Sequence, residues 1–394
     1  MGEKMAAPES VLITSADGTV QDVVPAAAAG EGIVYHPGVL TPGFVNCHCH
    51  LELSHMKGVI RERTGLVDFL SSVIRLRQSD GRPSQRGAAG PMGSGADGPR
   101  EEGPVDVAAA IAAAEQEMLD GGIVAVGDIC NTTDTLEQKK KGRLAYYNFI
   151  ETIGFVEQGA AARFDHSLGI CEFFGEAAAI VPHAPYSVSP ALFRLIAAQG
   201  ADRVLTMHNQ ESEEENVFYV SGKGDFLRLY EQLGLDVSFF KGTGKRSMES
   251  CLPYFYKEQS MILVHNVATR EEDLVDVGGP ELYFCLCPNA NLYIGGQLPD
   301  VDLLVRRGCR LVVGTDSLAS NHGLSILEEL KTLQRAFPHF STPTLLEWAT
   351  FNGARALRLD GLGCFAVGNK PGVVLLEGLD AGRLTTRTRA RRLI

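Results

Sequence analysis

The sequence predicts an α/β protein: a (β/α)8 barrel of the TIM type, with a small β-sandwich domain formed by both chain ends. Two observations predict the barrel. Short runs rich in Val, Ile and Leu recur along the chain, and amphipathic stretches lie between several of them. Such runs are typical of parallel strands that are buried on both faces. About eight alternations of strand and helix indicate a TIM-type barrel.

The candidate barrel strands are eight apolar runs. They are PGFVNCHCH from Pro42, GGIVAVGDIC from Gly121, LAYYNFIE from Leu144, AAIVPHAPYS from Ala178, RVLTMHNQE from Arg203, MILVHN from Met261, ELYFCLC from Glu281 and RLVVGTDS from Arg310. Helical stretches such as VDVAAAIAAAEQEMLDGG and SILEELKTLQRAF separate several of these runs.

Polar residues stand repeatedly where these runs end. The active site of such a barrel lies at the carboxyl ends of its strands, so these side chains are placed to converge. Core packing alone does not predict that arrangement. The residues are His48, His50, Asp128, Glu151, His183, His208, Glu211, His265 and Asp316.

Two segments fall outside the predicted barrel, and a third forms an insertion within it. Residues 1–41 and 363–394 contain short apolar stretches that would pair into the small β-domain, which leaves 42–362 for the barrel. Residues 78–104 are rich in Gly, Pro and Ser, a composition that predicts a flexible insertion.

The composition bears on partners and location. The chain has 394 residues and a net charge of −12, which argues against a nucleic-acid surface and for a small-molecule substrate. It lacks an apolar run long enough to span a membrane, so no membrane partner is expected. Its nine cysteines are scattered and odd in number, which argues against a disulfide framework and favours the cytoplasm.

The stretch CHCH, residues 47–50, offers four groups that could bind a metal ion. Alternate residues of a strand share a face, so His48 and His50 would point one way and Cys47 and Cys49 the other. All four could not bind one ion without distortion of the strand. Taken alone, the pair of histidines fits a metal site and a buried structural role equally well.

Residues further along the chain favour the metal site. His208 is followed three residues later by Glu211, His265 ends the run LVHN, and Asp316 ends VVGTD. Each has a structural alternative: Glu211 could stabilise a helix start and Asp316 could cap one. Together, three imidazoles and a carboxylate can make an open metal site with room for water, as in catalytic zinc sites.

The ordered set HCH, PHAPYS, HNQE, LVHN and GTDS resembles the amidohydrolase superfamily. It is most similar to the mononuclear deaminase and chlorohydrolase branch, which includes S-adenosylhomocysteine, guanine and aminodeoxyfutalosine deaminases. The resemblance covers nearly the whole chain. Asn291, in CPNANL, takes the place of an Asn of the family, whereas Ala290 replaces its Ser.

The resemblance implies a role for each site residue. The implied metal ligands are His48, His50, His208 and Asp316, the implied catalytic residues are Glu211, His265 and Asp316, and the implied substrate contact is His183. The cofactor would be one divalent metal ion, Zn²⁺ or alternatively Fe²⁺. No lysine ends LAYYNFIE or AAIVPHAPYS, which favours one ion over a lysine-bridged pair.

The function so implied is a metal-dependent aminohydrolase. Hydroxide activated by the metal would attack an aminated heterocycle, a purine-like nucleoside or base such as aminodeoxyfutalosine or S-adenosylhomocysteine, and ammonia would leave. Glu211 would supply a proton to the ring nitrogen. The resemblance also implies a homo-oligomer and a substrate pocket walled by the long segment that follows Glu211.

Two alternatives stay open at this point. The same metal site could hydrolyse a cyclic amide or a carbon–halogen bond. The chain could also be a catalytically silent scaffold of the same fold, although such proteins usually lose ligands. The sequence assigns no definite role to Glu52, Asp128 or Glu151.

Overall fold

The computed structural model describes residues 9–79, 106–275 and 280–394. Most of the predicted flexible insertion, residues 80–104, lies outside the described residues. Its first two positions, 78 and 79, are the last residues of a helix.

The described residues contain thirteen strands. In chain order they are β1 (Ser10–Thr14), β2 (Val20–Pro25), β3 (Val39–Thr41), β4 (Phe44–Cys49), β5 (Ile123–Cys130), β6 (Ala145–Thr152), β7 (Ala178–Pro182), β8 (Val204–Asn209), β9 (Ser260–His265), β10 (Glu281–Leu286), β11 (Arg310–Val313), β12 (Val374–Glu377) and β13 (Arg389–Arg392). Each of the eight runs predicted from the sequence overlaps one of the strands β4 to β11, and only β6 and β9 extend beyond their runs, by one residue each.

The described residues also contain thirteen α-helices. They are α1 (Leu66–Ser79), α2 (Val107–Asp120), α3 (Leu136–Lys139), α4 (Ala160–Phe174), α5 (Pro190–Ala197), α6 (Glu213–Ser221), α7 (Phe226–Gln232), α8 (Ser247–Cys251), α9 (Pro288–Ile294), α10 (Val301–Arg306), α11 (Ile326–Ala336), α12 (Thr342–Ala349) and α13 (Phe351–Ala356). The two helical stretches singled out in the sequence form α2 and α11.

The eight strands β4 to β11 form two parallel half-sheets. The first half-sheet has the order β4-β5-β6-β7, and the second half-sheet has the order β8-β9-β10-β11. Every residue of β4, β5, β8 and β9 is buried, which explains their continuous apolar character.

Backbone hydrogen bonds join the two half-sheets at both seams. Between β7 and β8, the His208 amide donates to the His183 carbonyl over 2.9 Å. Between β11 and β4, the amides of Thr315 and Asp316 both donate to the His48 carbonyl over 3.0 Å. The strands therefore close into the predicted barrel.

The two chain ends meet outside the barrel. Strand β12 pairs antiparallel with β3 on one side and with β13 on the other. The hairpin of β1 and β2 is attached through Val20, whose amide donates to the Asn369 carbonyl over 2.8 Å. The predicted separate β-structure from both ends is confirmed, whereas the boundaries at 41 and 363 stay a prediction.

Two further observations concern the whole described chain. None of its described helices combines the length and apolar character needed to cross a membrane. All nine cysteines lie in the described ranges as free thiols.

Candidate metal centre and active site

Four predicted ligands converge at the carboxyl end of the barrel. The Nε2 atom of His50 lies 3.2 Å from Nε2 of His48 and 3.2 Å from Nε2 of His208. Oδ1 of Asp316 lies 3.5 Å from Nε2 of His48 and 3.4 Å from Nε2 of His50. Ligands about 2.0–2.1 Å from a tetrahedral ion stand about 3.3 Å apart, so these four distances suit a zinc-sized ion.

The protonation of these rings supports the same interpretation. Nδ1 of His208 lies 2.7 Å from the His183 carbonyl, which only accepts, so Nδ1 carries the proton and Nε2 presents a lone pair. Burial lowers the pKa of His48 to about 4 and that of His50 well below its ordinary value. Neutral imidazoles whose nitrogens face one another at 3.2 Å fit a cation between them.

Asp316 supplies the negative charge of the cluster. Burial alone would raise the pKa of Asp316, but the contacts with His48, His50 and His265 keep it below the ordinary value. The outer oxygen, Oδ2, accepts a hydrogen bond of 2.6 Å from Ser320 Oγ. The carboxylate is therefore fixed with Oδ1 towards the histidines.

Strand β4 explains how the two histidines come to share a face. His48 lies within the strand and His50 follows it directly, so the alternation of side chains turns both rings inwards. Cys47 is fully buried on the other face and lies against Gly353 of α13. The predicted division between the histidines and Cys47 is confirmed.

Two site residues in the second half-sheet have left-handed backbones. The φ angle is 76° at His265 and 57° at Asp316. Gln210 and Asn266, next to site residues, also have positive φ angles, of 46° and 59°. This conformation costs roughly 1–3 kcal/mol for most side chains and is concentrated at functional sites in proteins.

Glu211 and His265 lie together beside the cluster. Oε1 of Glu211 is 3.5 Å from Nε2 of His265. Burial raises the pKa of Glu211 to about 8, so the group can hold a proton at neutral pH. On its other side, Nδ1 of His265 lies 2.8 Å from Oδ1 of Asn291, which fixes the ring.

His183, the predicted substrate contact, lines the cavity above the cluster. Its ring centroid is 4.9 Å from that of His208, and its Nδ1 is 2.7 Å from Ser187 Oγ. The structure thus brings together all the site residues predicted from the sequence.

The three acids left without a role stand just outside this cluster. Oδ1 of Asp128 accepts the Leu51 amide over 2.8 Å, and Oε1 of Glu151 lies 3.6 Å from Nδ1 of His208. Glu52 accepts the Asn131 amide over 3.0 Å. These contacts fix the backbone after β4 and the outer side of His208.

Sequence reasoning missed several polar residues that hold the site. Ser320 fixes Asp316, Asn131 donates to Glu151 over 3.0 Å, and Arg77 pairs with Glu52. Ser320 follows Asp316 by four residues, a spacing that could have suggested the contact. Nothing in the local sequence of α1 indicates that Arg77 reaches a strand end.

The amidohydrolase family model matches residues 39–388, which is most of the chain. The chain belongs to the amidohydrolase family. Among curated members, it is 25% identical over 354 residues to an aminodeoxyfutalosine deaminase of Nitratiruptor sp., covering 86% of this chain and 79% of the other. It is 29% identical over 342 residues to an adenosine deaminase of Helicobacter pylori, covering 83% and 76%.

Solved structures of amidohydrolases share the fold. A Helicobacter pylori aminofutalosine deaminase in complex with methylthio-coformycin superposes with a TM-score of 0.74 at 22% identity, covering 94% of this chain and 88% of that one. An atrazine chlorohydrolase of Arthrobacter aurescens complexed with zinc gives 0.68 at 19% identity, covering 97% and 87%. The resemblance read from the five motifs is confirmed.

Proposed function

We propose that this amidohydrolase is a metal-dependent deaminase that removes ammonia from an aminated purine-like nucleoside or base. The chain is a hydrolase of carbon–nitrogen bonds, as its family and its deaminase relatives indicate. One observation carries the proposal: at the carboxyl end of the barrel, Nε2 of His50 lies 3.2 to 3.4 Å from ligand atoms of His48, His208 and Asp316, and His48 lies 3.5 Å from Asp316.

The ligands of the proposed site are His48, His50, His208 and Asp316. Zinc is the proposed ion because the spacing suits it and because a structural neighbour is complexed with zinc. Fe²⁺ is the alternative, since imidazole and carboxylate ligands suit both metals. When bound, the ion would lower the pKa of a water molecule to about 7 and so supply a nucleophile at neutral pH.

The chain's own residues would move the protons. Asp316 would accept a proton from the attacking water, with Ser320 holding its second oxygen. Glu211, whose pKa is raised to about 8, would deliver a proton to the ring nitrogen next to the attacked carbon. His265, fixed by Asn291, would polarise the attacked centre, and His183 would contact the substrate.

The relatives support an adenosine-like substrate. Two curated relatives are an aminodeoxyfutalosine deaminase and an adenosine deaminase. In both cases the match with this chain covers more than three quarters of the relative's length. The chlorohydrolase neighbour supports the alternative of a carbon–halogen bond at the same site. That neighbour is only 19% identical, so the deaminase proposal is favoured.

The first experiment combines metal analysis with an ammonia-release screen. Elemental analysis of purified protein is expected to give about one zinc or iron per chain. The screen would hold adenosine, S-adenosylhomocysteine, aminodeoxyfutalosine, guanine, cytosine and atrazine, with chloride measured for the last. Ammonia from a purine compound supports the proposal, and chloride alone would replace it with the dehalogenase alternative.

A pair of histidine variants tests the ligand assignment. His208→Ala is expected to lose both metal and activity, whereas His166→Ala, on the exposed surface of α4, keeps both. Retention of metal and activity by His208→Ala would contradict the assignment. A chain without metal and without activity on any compound would point to the silent scaffold.

Cytoplasmic location and assembly into a homo-oligomer stay predictions. Light scattering on the purified protein would measure its oligomeric state. The proposal for the substrate does not depend on either.

A further inference from the structure

Gln210, the residue before Glu211, is fully buried and has a left-handed backbone with a φ angle of 46°. Its four hydrogen-bonding groups all have partners. The amide donates to Oε1 of Glu215 over 2.9 Å, and the side-chain Nε2 donates to Oδ1 of Asn216 over 3.2 Å. Both partners belong to α6, so they hold Gln210 against the start of the helix that follows Glu211.

The other two groups of Gln210 contact the segment that follows His265. The Ala268 amide donates to the Gln210 carbonyl over 2.8 Å, and Thr269 Oγ1 donates to Oε1 of Gln210 over 2.7 Å. Strands β8 and β9 pair as far as Asn209 and His265. The bonds of Gln210 therefore continue the contact between these two chain segments past the ends of the strands.

This set of bonds fixes the backbone between two groups proposed to act on the substrate. Glu211 follows Gln210 directly, and its Oε1 lies 3.5 Å from Nε2 of His265. The Asn266 amide adds a further bond of 3.0 Å to the Asn209 carbonyl. A left-handed residue other than glycine persists only where its surroundings hold it. An apolar side chain could fill this buried volume without needing partners, so packing alone does not account for the side-chain amide.

We infer that Gln210 is a positioning residue of the active site, and that the bond it accepts from Thr269 sets the placement of Glu211 for proton delivery. The inference rests on the proposed deaminase function. A proton donor must lie within hydrogen-bond reach of the atom that receives the proton. A displacement of about 1 Å at the reacting centre can cost on the order of 100-fold in rate. Loss of this bond should therefore lower kcat without loss of metal.

Thr269→Val tests the inference, because it removes the hydroxyl donor of a buried side chain and keeps the branched shape. The substrate is the most active purine compound of the ammonia-release screen. We expect kcat to fall about tenfold, with KM changed by less than about twofold and metal near one per chain. Thr269→Ser restores the hydroxyl and should keep kcat within about twofold of the parent value. Retention of more than half of kcat by Thr269→Val would contradict the inference, and Thr269→Ala replaces this variant if it does not fold.

Thr206→Val provides the matched control. Thr206 is also buried and also joins β8 to β9, since its Oγ1 donates to the Ile262 carbonyl over 3.0 Å. Its partner lies inside the sheet, whereas the bond from Thr269 lies beyond the strand ends. The control should keep kcat within about twofold of the parent value. An equal fall of kcat in the two valine variants would show a general effect of the missing hydroxyl and would overturn the inference.

A second background identifies the route of the effect. In Glu211→Gln protein, Thr269→Val should change the remaining kcat by less than about twofold, because the group that Gln210 positions has already been lost. A merely structural role would lower kcat about tenfold in both backgrounds, a result against the inference.

The proposed function would fail in a different way. If the parent enzyme with about one metal per chain released no ammonia from any compound of the screen, the deaminase proposal and the inference that rests on it would both be wrong. The two failures are distinguishable because the variants of Thr269 are compared with an active parent.

Discussion

The two half-sheets of the barrel build the site in different ways. In the first half-sheet, His48 lies in a regular strand, and His50 follows it with an extended φ of −117°. In the second, His265 and Asp316 have left-handed backbones at the ends of their strands. Within the described residues, no strand of the first half-sheet ends in a left-handed residue other than glycine.

The difference corresponds to a division of chemical tasks. Each half-sheet supplies two proposed ligands, and the first also supplies the substrate contact His183. The two groups proposed to move protons, Glu211 and Asp316, both come from the second half-sheet, as does His265. A ligand only has to point inwards, and a regular strand achieves this. A proton-transfer group must also meet the substrate at a set angle, for which the strained strand ends are suited.

The largest expected effect separates these tasks. Glu211→Gln in the second half should lower kcat by about 10³-fold while metal stays near one per chain, because it removes only the proton donor. His50→Ala in the first half should lose activity together with metal. Elemental analysis beside single-substrate kinetics measures both. If Glu211→Gln kept more than a tenth of the parent kcat, the proposed division of chemical tasks between the half-sheets would be wrong.

The next effect concerns a buried acid of the second half without a cation beside it. Glu329 of α11 accepts hydrogen bonds of 2.8 Å from the Asn289 amide and from Asn321. Burial raises its pKa from 4.5 to about 8. In the first half, by contrast, the buried carboxylates of Asp128 and Glu52 face Lys139 and Arg77.

This contrast predicts a dependence of stability on pH. With its pKa raised on folding, Glu329 binds more protons in the folded chain than in the unfolded one. Its contribution is therefore complete below about pH 4.5 and is lost as the pH rises to about 8, by on the order of 5 kcal/mol.

Denaturant unfolding at pH 5 and pH 9 measures this loss. Glu329→Gln should lose less stability over that range than the parent protein. The exposed neighbour provides the control, since Glu328→Gln should leave the loss unchanged. Equal losses in the parent and in Glu329→Gln would show that this acid is charged in the folded protein.

A smaller effect is expected from the groups that hold the histidines. Asn291→Ala removes the 2.8 Å contact to Nδ1 of His265 and should lower kcat about 10- to 100-fold. Ser187→Ala removes the corresponding 2.7 Å contact to His183 in the first half and should act mainly by raising KM. Steady-state kinetics of both variants would test this. If Asn291→Ala mainly raised KM and Ser187→Ala mainly lowered kcat, the roles assigned to His265 and His183 would be reversed.

The smallest effect tests the backbone itself. At Asp316, the Gly variant should be more stable than the Ala variant by about 1 kcal/mol in chelator-treated protein, because glycine adopts a φ of 57° without strain. At His50 the order should reverse, since glycine there only adds freedom to the unfolded chain. Thermal unfolding of the four variants decides whether the difference in stability between the Gly and Ala variants changes sign between the two half-sheets.

The sequence predicted the barrel because its strands are buried on both faces and so appear as continuous apolar runs. The inward direction of His48 and His50 followed from the alternation of side chains along one strand. His265 and Asp316 were different. Their left-handed backbones break the regular pattern, and only the order of the five motifs indicated that they belong to the same site.

Contacts between distant elements could not be predicted. Arg77 reaches Glu52 from a helix 25 residues further along the chain, and the cavity wall opposite α1 is formed by α7. Local pattern describes which face of α1 is apolar, but not which residues stand across from it. The apolar cavity became visible only in three dimensions.

The hydrogen bonds that join the half-sheets have a consequence for assembly of the enzyme. Both seams use the backbone of site residues: His183 with His208 at one, and His48 with Asp316 at the other. Closure of the barrel at these two seams therefore brings the proposed ligands next to one another. An ion bound by these side chains would link residues on both sides of each seam. Because it would bind the closed barrel and not the unfolded chain, its binding free energy would add to the folding stability of the barrel.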